Sequence, residues 1–298
     1  MKGGELKFAK MHGLGNDYVV FDLFDSSNRK VFDKLFNNSS LSESELNSFA
    51  KRVCDRHSGI GADGILLLSP SKKADGVMRI INADGSEAEM CGNGIRCIAK
   101  LLIDKGHSKN RHRELKVETI SGVKKITAAD GLFRVDMGEP RLLRNEIPMN
   151  GNATARAINE PLQLKYKQIR ITAVSMGNPH AVVFTNDTNI DIDCFDIEEI
   201  GKEIENNMAF PRRTNVEFVH VLNRGEVELN TWERGVGETL ACGTGACASV
   251  VASVLNEKTD RKVKVHLRGG DLVVEWAKDN HVYMTGPAAH VFSGRVDV

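Results

Sequence analysis

Two similar copies of one α/β (α+β) domain, related by a pseudo-two-fold axis and holding an active site in the cleft between them, are the architecture this sequence predicts. Three internal matches carry the prediction. MCGNGIRC at 90–97 reappears as ACGTGAC at 241–247, which puts Cys91 and Cys242 151 residues apart. Gly15-Asn16-Asp17-Tyr18, leading into Val19-Val20-Phe21, reappears as Gly177-Asn178-Pro179-His180, leading into Val182-Val183-Phe184. Met137-Gly138-Glu139-Pro140 pairs more weakly with Met284-Thr285-Gly286-Pro287. The pairs run in the same order, which marks a duplicated unit. The expected organisation is an N-terminal domain over 1–135, completed by a returning strand over 289–298, and a C-terminal domain over 136–288. A length of 298 residues fits two domains of roughly 150 residues each.

Element by element, the N-terminal half opens on YVVFD (18–22), a β-rich run. Residues 36–44 are polar and rich in Asn and Ser, and read as a surface loop. Ser42 with Glu45 three residues on is a capping-box signal, after which Leu46, Phe49, Ala50, Val53 and Cys54 fall at helical spacing. Cys54 therefore reads as a core residue. GVMRIIN (76–82) reads as a strand, 95–105 as a helix stopped by Gly106, and ELKVETI (114–120) as a strand. In the second half HAVVF (180–184), VEFVHV (216–221) and GEVELNTWE (225–233) are strands. Residues 195–207 place Ile197, Ile200 and Ile204 on one helical face, and 246–255 form a small-residue apolar helix. VKVHLR and DLVVEW flank Gly269-Gly270 as a hairpin, with Asp279-Asn280 marking a second turn.

Composition narrows the function. Lys+Arg and Asp+Glu are both 40, and this absence of a basic excess argues against a nucleic-acid partner. No apolar run approaches the roughly 20 residues of a membrane span, and the N-terminus lacks the apolar core of a signal peptide. Six cysteines are too sparse for a disulfide scaffold and fit reduced thiols in a cytoplasmic enzyme or a metal site.

In each half a cysteine precedes Gly-x-Gly and a helical run. That puts Cys91 and Cys242 at helix starts, where unpaired N–H groups favour a thiolate and can cradle a carboxylate. Two such thiols suggest a symmetric reaction. Inverting a stereocentre needs a base on one face of a carbon and an acid on the other, and a thiolate with a thiol supplies both. Other readings stand beside this one. Zinc ligation by Cys91/Cys97 and Cys242/Cys247 is one, but C-x5-C and C-x4-C are not the usual spacing. The cysteines as structural residues beside tight turns, or a hydrolase using one Cys with His180, are the others.

MHGLGNDYVV, NADGSEAEMCGNGIRC, MGNPHAVVF, NVEF and WERGVGETLACGTGACAS, in this order, resemble diaminopimelate epimerase from Phe8 to about Val296. The resemblance implies an epimerase that needs no cofactor or metal and interconverts LL- and meso-diaminopimelate in lysine and peptidoglycan precursor synthesis. It implies two α/β domains, a cytoplasmic homodimer and a small-molecule substrate. Carried over, Cys91 and Cys242 are the acid/base pair, and Gly92, Asn93, Gly243 and Thr244 hold the carboxylate at the reacting centre. Asn82, Asn178, Asn215, Glu233 and Arg234 hold the distal amino-acid end, where Glu233 and Arg234 offer one charge of each sign. Asn16 lines the pocket. His180 and Glu233 support the thiols. Glu87 and Glu238, at equivalent repeat positions, are expected as helix-start partners. Gly64 stands where relatives carry Gln or Gly. The alternatives are a two-cysteine proline or hydroxyproline racemase and, in another class, a cysteine-based metal-binding protein.

Overall fold

The computed structural model describes residues 4–37, 42–108, 114–188 and 196–298. These divide into an N-terminal unit, Met1–Val135 with Gly286–Val298, and a C-terminal unit, Asp136–Thr285.

The first unit contains β1 (Glu5–Gly13), β2 (Asn16–Asp22), α1 (Ser26–Phe32), α2 (Ser42–Cys54), β3 (Gly64–Ser69), β4 (Gly76–Asn82), β5 (Glu87–Ala88), α3 (Gly92–Asp104), β6 (Glu114–Thr119), β7 (Gly122–Ala129) and β8 (Leu132–Asp136). The second contains β9 (Glu160–Gln163), β10 (Gln168–Ser175), β11 (Pro179–Phe184), α4 (Asp196–Glu205), β12 (Asn215–Asn223), β13 (Glu226–Glu233), β14 (Gly237–Thr239), α5 (Gly243–Leu255), β15 (Lys262–Leu267), β16 (Gly270–Trp276) and β17 (Val282–Pro287). The last strand, β18 (Ala289–Asp297), pairs antiparallel with β1.

The duplication is written in the ladders. In the N-terminal unit β1–β2 is antiparallel, β2–β3 parallel, β3–β4 antiparallel, β4–β6 parallel, and β6–β7 and β7–β8 antiparallel. In the C-terminal unit β10–β11, β11–β12, β12–β13, β13–β15 and β15–β16–β17 repeat that series of directions. A short hairpin arm, β5 on β4 and β14 on β13, precedes the cysteine helix in both. The parallel pairs need crossovers, and α2 and α3 supply them in one unit as α4 and α5 do in the other.

Sheet and helices share one apolar layer in each unit. Phe21, Ile65, Leu67 and Ile81 meet Leu46, Phe49, Val53 and Cys54 of α2. Ala181, Val183, Val216 and Phe218 meet Ile197, Ile200 and Ile204 of α4. Cys54 is thus a core side chain, and burial pushes its thiol up to about 12. Gly106 ends α3 with a positive φ of 68°, and His107 N–H reaches Leu102 O.

Three local expectations change. Helix α3 starts at Gly92 rather than 95, and α5 at Gly243 rather than 246; a cysteine holds the N-cap position of each, and the Cys91 sulfur accepts an N–H of the first turn. The hairpin turn is Arg268-Gly269, since Leu267 already faces Gly270. In the segment expected as a loop, a π-type turn occupies Asp33–Asn37 and α2 begins at Ser42, while 38–41 lie outside the described residues.

Candidate active site

In the N-terminal unit Cys91 is the N-cap of α3, in extended conformation, and its sulfur accepts the Gly94 N–H at 3.5 Å. The Tyr18 hydroxyl lies 2.8 Å from that sulfur and also donates to Asn16 Oδ1. Asn93 Nδ2 donates to the same Asn16 oxygen at 3.2 Å, and Asn16 Nδ2 donates to Asp63 Oδ2 at 2.8 Å. Arg96, fully buried, braces the loop by donating to Gly92 O, Asn93 Oδ1 and Pro287 O. Behind Asn16, Asp17 is paired with Arg56 at 2.7 Å and with Lys10 at 2.6 Å. Burial works to raise the Asp17 pKa, but these partners outweigh it and hold the carboxyl at about 2.

In the C-terminal unit Cys242 is the N-cap of α5 and is 5% exposed. Thr244 Oγ1 is 3.5 Å from its sulfur, and Asn178 Nδ2 donates to Thr244 Oγ1 at 3.3 Å. His180 Nε2 lies 3.0 Å from Asn178 Oδ1, and its Nδ1 lies 2.8 Å from Glu217 Oε1. His180 and Glu217 are both fully buried, and burial raises the Glu217 pKa. Glu217 Oε2 has no hydrogen-bond partner among the described residues. Asn215 donates to Pro179 O and accepts the Arg234 N–H, which ties the turn after β13 to β12. Glu233 accepts from Thr239, and Arg234 reaches Arg212 O.

One expectation is corrected here. The helix start does not by itself lower the Cys242 pKa. Burial, followed by the neighbouring Glu233 and Glu217 carboxylates, pushes it well above the usual thiol value, against the opposing Thr244 hydroxyl and Gly245 N–H. Cys242 therefore holds its proton. Glu87 and Glu238 are not helix-start partners either, since they form ion pairs with Arg79 and Arg268.

Register makes the two clusters equivalent position by position. In parallel ladders Tyr18 faces Gly64 and His180 faces Asn215. Gly64 faces Asn82 across the next pair, as Val216 faces Trp232 one step past Asn215 and Glu233. The sequence-predicted residues thus fall into matched pairs: Asn16 with Asn178, Asn82 with Glu233, Cys91 with Cys242, Gly92 with Gly243, Asn93 with Thr244. Gly64 matches Asn215 and is glycine for a steric reason, since a Cβ there would sit 2.7 Å from Ile81 O. Asn82 turns back on its own loop and donates to Ser86 Oγ. Tyr18, Arg96 and Glu217 were not singled out from sequence. Glu217 had a signal, a carboxylate between Val216 and Phe218 in an apolar strand, and so had Tyr18, the repeat partner of His180.

Cys97 and Cys247 are fully buried inside α3 and α5, and burial pushes Cys97 up to about 12. Among the described residues no three His, Cys, Asp or Glu side chains are grouped as metal ligands.

A solved hydroxyproline epimerase from Agrobacterium vitis has a similar fold. The TM-score is 0.69 at 14% identity, covering 100% of this chain and 94% of that one. Sequence relatives on this fold define an isomerase, an epimerase. A family model described as diaminopimelate epimerase matches residues 8–143 and 172–291. The diaminopimelate epimerase of Pelotomaculum thermopropionicum is 50% identical over 97% of this chain and 98% of its own length. That of Acetivibrio thermocellus is 48% identical over 98% and 99%. The chain belongs to the diaminopimelate epimerase family.

Proposed function

We propose that this enzyme interconverts LL- and meso-diaminopimelate, a step of lysine biosynthesis, by moving one proton off and another onto the α-carbon without a cofactor. One sulfur, as thiolate, takes the α-proton from one face. The electron pair left on carbon spreads onto the adjoining carboxylate. The other sulfur, as thiol, gives its proton to the opposite face, so the two sulfurs end with exchanged protonation states. Burial and two carboxylates favour the protonated form of Cys242, which suits it to the part of the acid. The N-terminal N–H groups of α3 and α5, at Gly92-Asn93 and Gly243-Thr244, meet the charge that develops on the carboxylate. Asn82, Asn178, Asn215, Glu233 and Arg234 hold the distal zwitterion, and Asn16 borders the base. His180 supports Cys242 through Asn178 and Thr244.

The observation that carries the reading is the cysteine N-cap repeated in each unit with matched polar neighbours. Family membership, at about half of all residues identical, supports the substrate. Membership also supports a cytoplasmic homodimer, which sedimentation and cell fractionation test. No helix among the described residues is long and apolar enough to cross a membrane.

The test is α-proton exchange in D2O with diaminopimelate, lysine and proline at equal concentration. Diaminopimelate should exchange fastest, lysine poorly because it lacks the distal carboxylate, and proline most slowly. Proline exchanging as fast as diaminopimelate would put the proline-racemase reading in its place. Cys91→Ala and Cys242→Ala should each lower epimerisation by ~10²-fold or more. Near-normal turnover in either variant would remove the two-thiol mechanism.

A further inference from the structure

Tyr18 is 4% exposed, and its hydroxyl sits between two acceptors, Asn16 Oδ1 and Cys91 Sγ. We propose that Tyr18 is a positioning residue for Cys91, its hydroxyl turning from Asn16 Oδ1 to the sulfur as the sulfur loses its proton. The effect on turnover rests on the two-thiol reading above, whereas the contact itself does not.

The hydrogen inventory carries the argument. Asn16 Nδ2 is committed to Asp63, so Asn16 Oδ1 faces Tyr18 and Asn93 as an acceptor. Asn93 is oriented by Arg96, which donates to its Oδ1. A phenol has one hydrogen to give. With Cys91 as a thiol, that hydrogen goes to Asn16, and the S–H has two acceptors, the phenol oxygen at 2.8 Å and Asn16 Oδ1 at 3.7 Å. With Cys91 as a thiolate, the sulfur has no hydrogen and the phenol donates to it, while Asn93 still serves Asn16 Oδ1. Only a hydrogen rotates, so the donor is in place before charge appears, which is what makes preorganised donors effective.

The phenol itself does not ionise in exchange, because burial, and then the neighbouring Cys91, raise its pKa well above the usual value. The charged groups around the pair do not compete near neutrality. Asp17 of β2, ion-paired with Lys10 of β1 and Arg56, stays ionised. Asp63 is ion-paired with the same Arg56. From α3, Arg96 keeps its charge, and the Cys97 thiol is pushed up to about 12. The equivalent position in the other unit holds His180, again against the equivalent asparagine. The duplication has therefore kept a polar side chain at this place while changing its chemistry.

The experiment follows alkylation of Cys91 by iodoacetamide against pH in a Cys242→Ala background, with the modified residue located by peptide mapping. Tyr18→Phe keeps the ring and removes the donor. It should slow Cys91 alkylation about tenfold near neutral pH and move the midpoint up by about one pH unit, the scale of a lost hydrogen bond to a charged group. Thermal melting verifies that the variant is folded. Introducing 3-fluorotyrosine at position 18, a stronger donor that preserves the packing, should move the midpoint the other way. An unchanged midpoint in Tyr18→Phe, or a shift to lower pH, overturns the proposal. Separately, turnover retained in Cys91→Ala, together with the alkylation shift seen in the Cys242→Ala background, would sink the two-thiol reading and leave the Tyr18 contact standing.

Discussion

Arg234 shows how one side chain can be tested without disturbing its frame. Its backbone N–H, not its guanidinium, ties the turn to Asn215 Oδ1. Arg234→Ala therefore keeps that tie and loses the exposed guanidinium with its hydrogen bond to Arg212 O. A charged hydrogen bond lost from a desolvated site costs roughly 1.5–3 kcal/mol, at least about tenfold in rate. We expect kcat/KM for diaminopimelate to fall by that factor with the melting temperature unchanged. An unaltered kcat/KM would remove Arg234 from the distal site. Asp17 gives a pH prediction instead. Its carboxyl is held at about 2 against an ordinary 3.8, so the folded state favours the ionised form. The resulting stability, about 2 kcal/mol, is present above pH 3.8 and is lost as pH falls toward 2. Denaturant titration should show this loss between pH 4 and 2, and Asp17→Asn should lower stability at neutral pH and flatten that part of the profile. An equally steep acid profile in the variant would assign the loss to other groups.

At the level of elements, the two cysteine-capped helices look alike and are seated differently. A Cβ at Gly245 of α5 would come within 2.6 Å of Glu217 Oε1 and 3.2 Å of Cys242 Cβ, whereas at Gly94 of α3 it would meet Leu66 Cδ2 at 3.3 Å. Glu217 is fully buried against His180 and has little room to yield. Gly245→Ala should therefore cost about 1–3 kcal/mol despite the gain in helix propensity, and Gly94→Ala clearly less. Equal melting temperatures for the two variants would contradict this. The same helices show what sequence reading reaches. Their existence, their apolar faces and the cysteines at their starts were legible from composition and repeat. Their first turns were not, because Gly-Asn-Gly and Gly-Thr-Gly are poor helix formers. Strand β3, GILLLS, escaped for a related reason: it pairs β2 in parallel and β4 antiparallel, and shows an unbroken apolar run instead of alternation. Tyr18 and Glu217 were hidden inside strand-like runs, and only the repeat alignment marks them as partners of His180 and Leu66.

For the whole molecule, the matched ladders explain why a sequence period could reveal an architecture. Each ladder series must repeat if each half is to bury its sheet in the same way, so the sequence matches recur where the ladders and the two cysteines recur. The C-terminal strand is the exception to the linear order of the units. β18 pairs with β1 from Glu5↔Asp297 to His12↔Ala289, with Phe8 packed edge-on to Phe292 and Phe21. A chain ending at Ala288 should therefore lose amide protection along β1 and β2 while β10 to β13 keep theirs in hydrogen exchange. Uniform loss across both units would instead make the whole chain one cooperative block.

That last strand also sets a timetable. During synthesis, β1 leaves the ribosome long before the strand that covers its edge. About 150 residues separate the end of the N-terminal segment from β18, which at the usual translation rate is roughly 10–30 s. Throughout that interval the newborn chain carries an open sheet edge, the feature that most readily recruits a neighbouring nascent chain. Slowed translation of the second half, or a stop codon just before residue 289, should therefore show itself first as inclusion bodies and chaperone occupancy rather than as a catalytic defect.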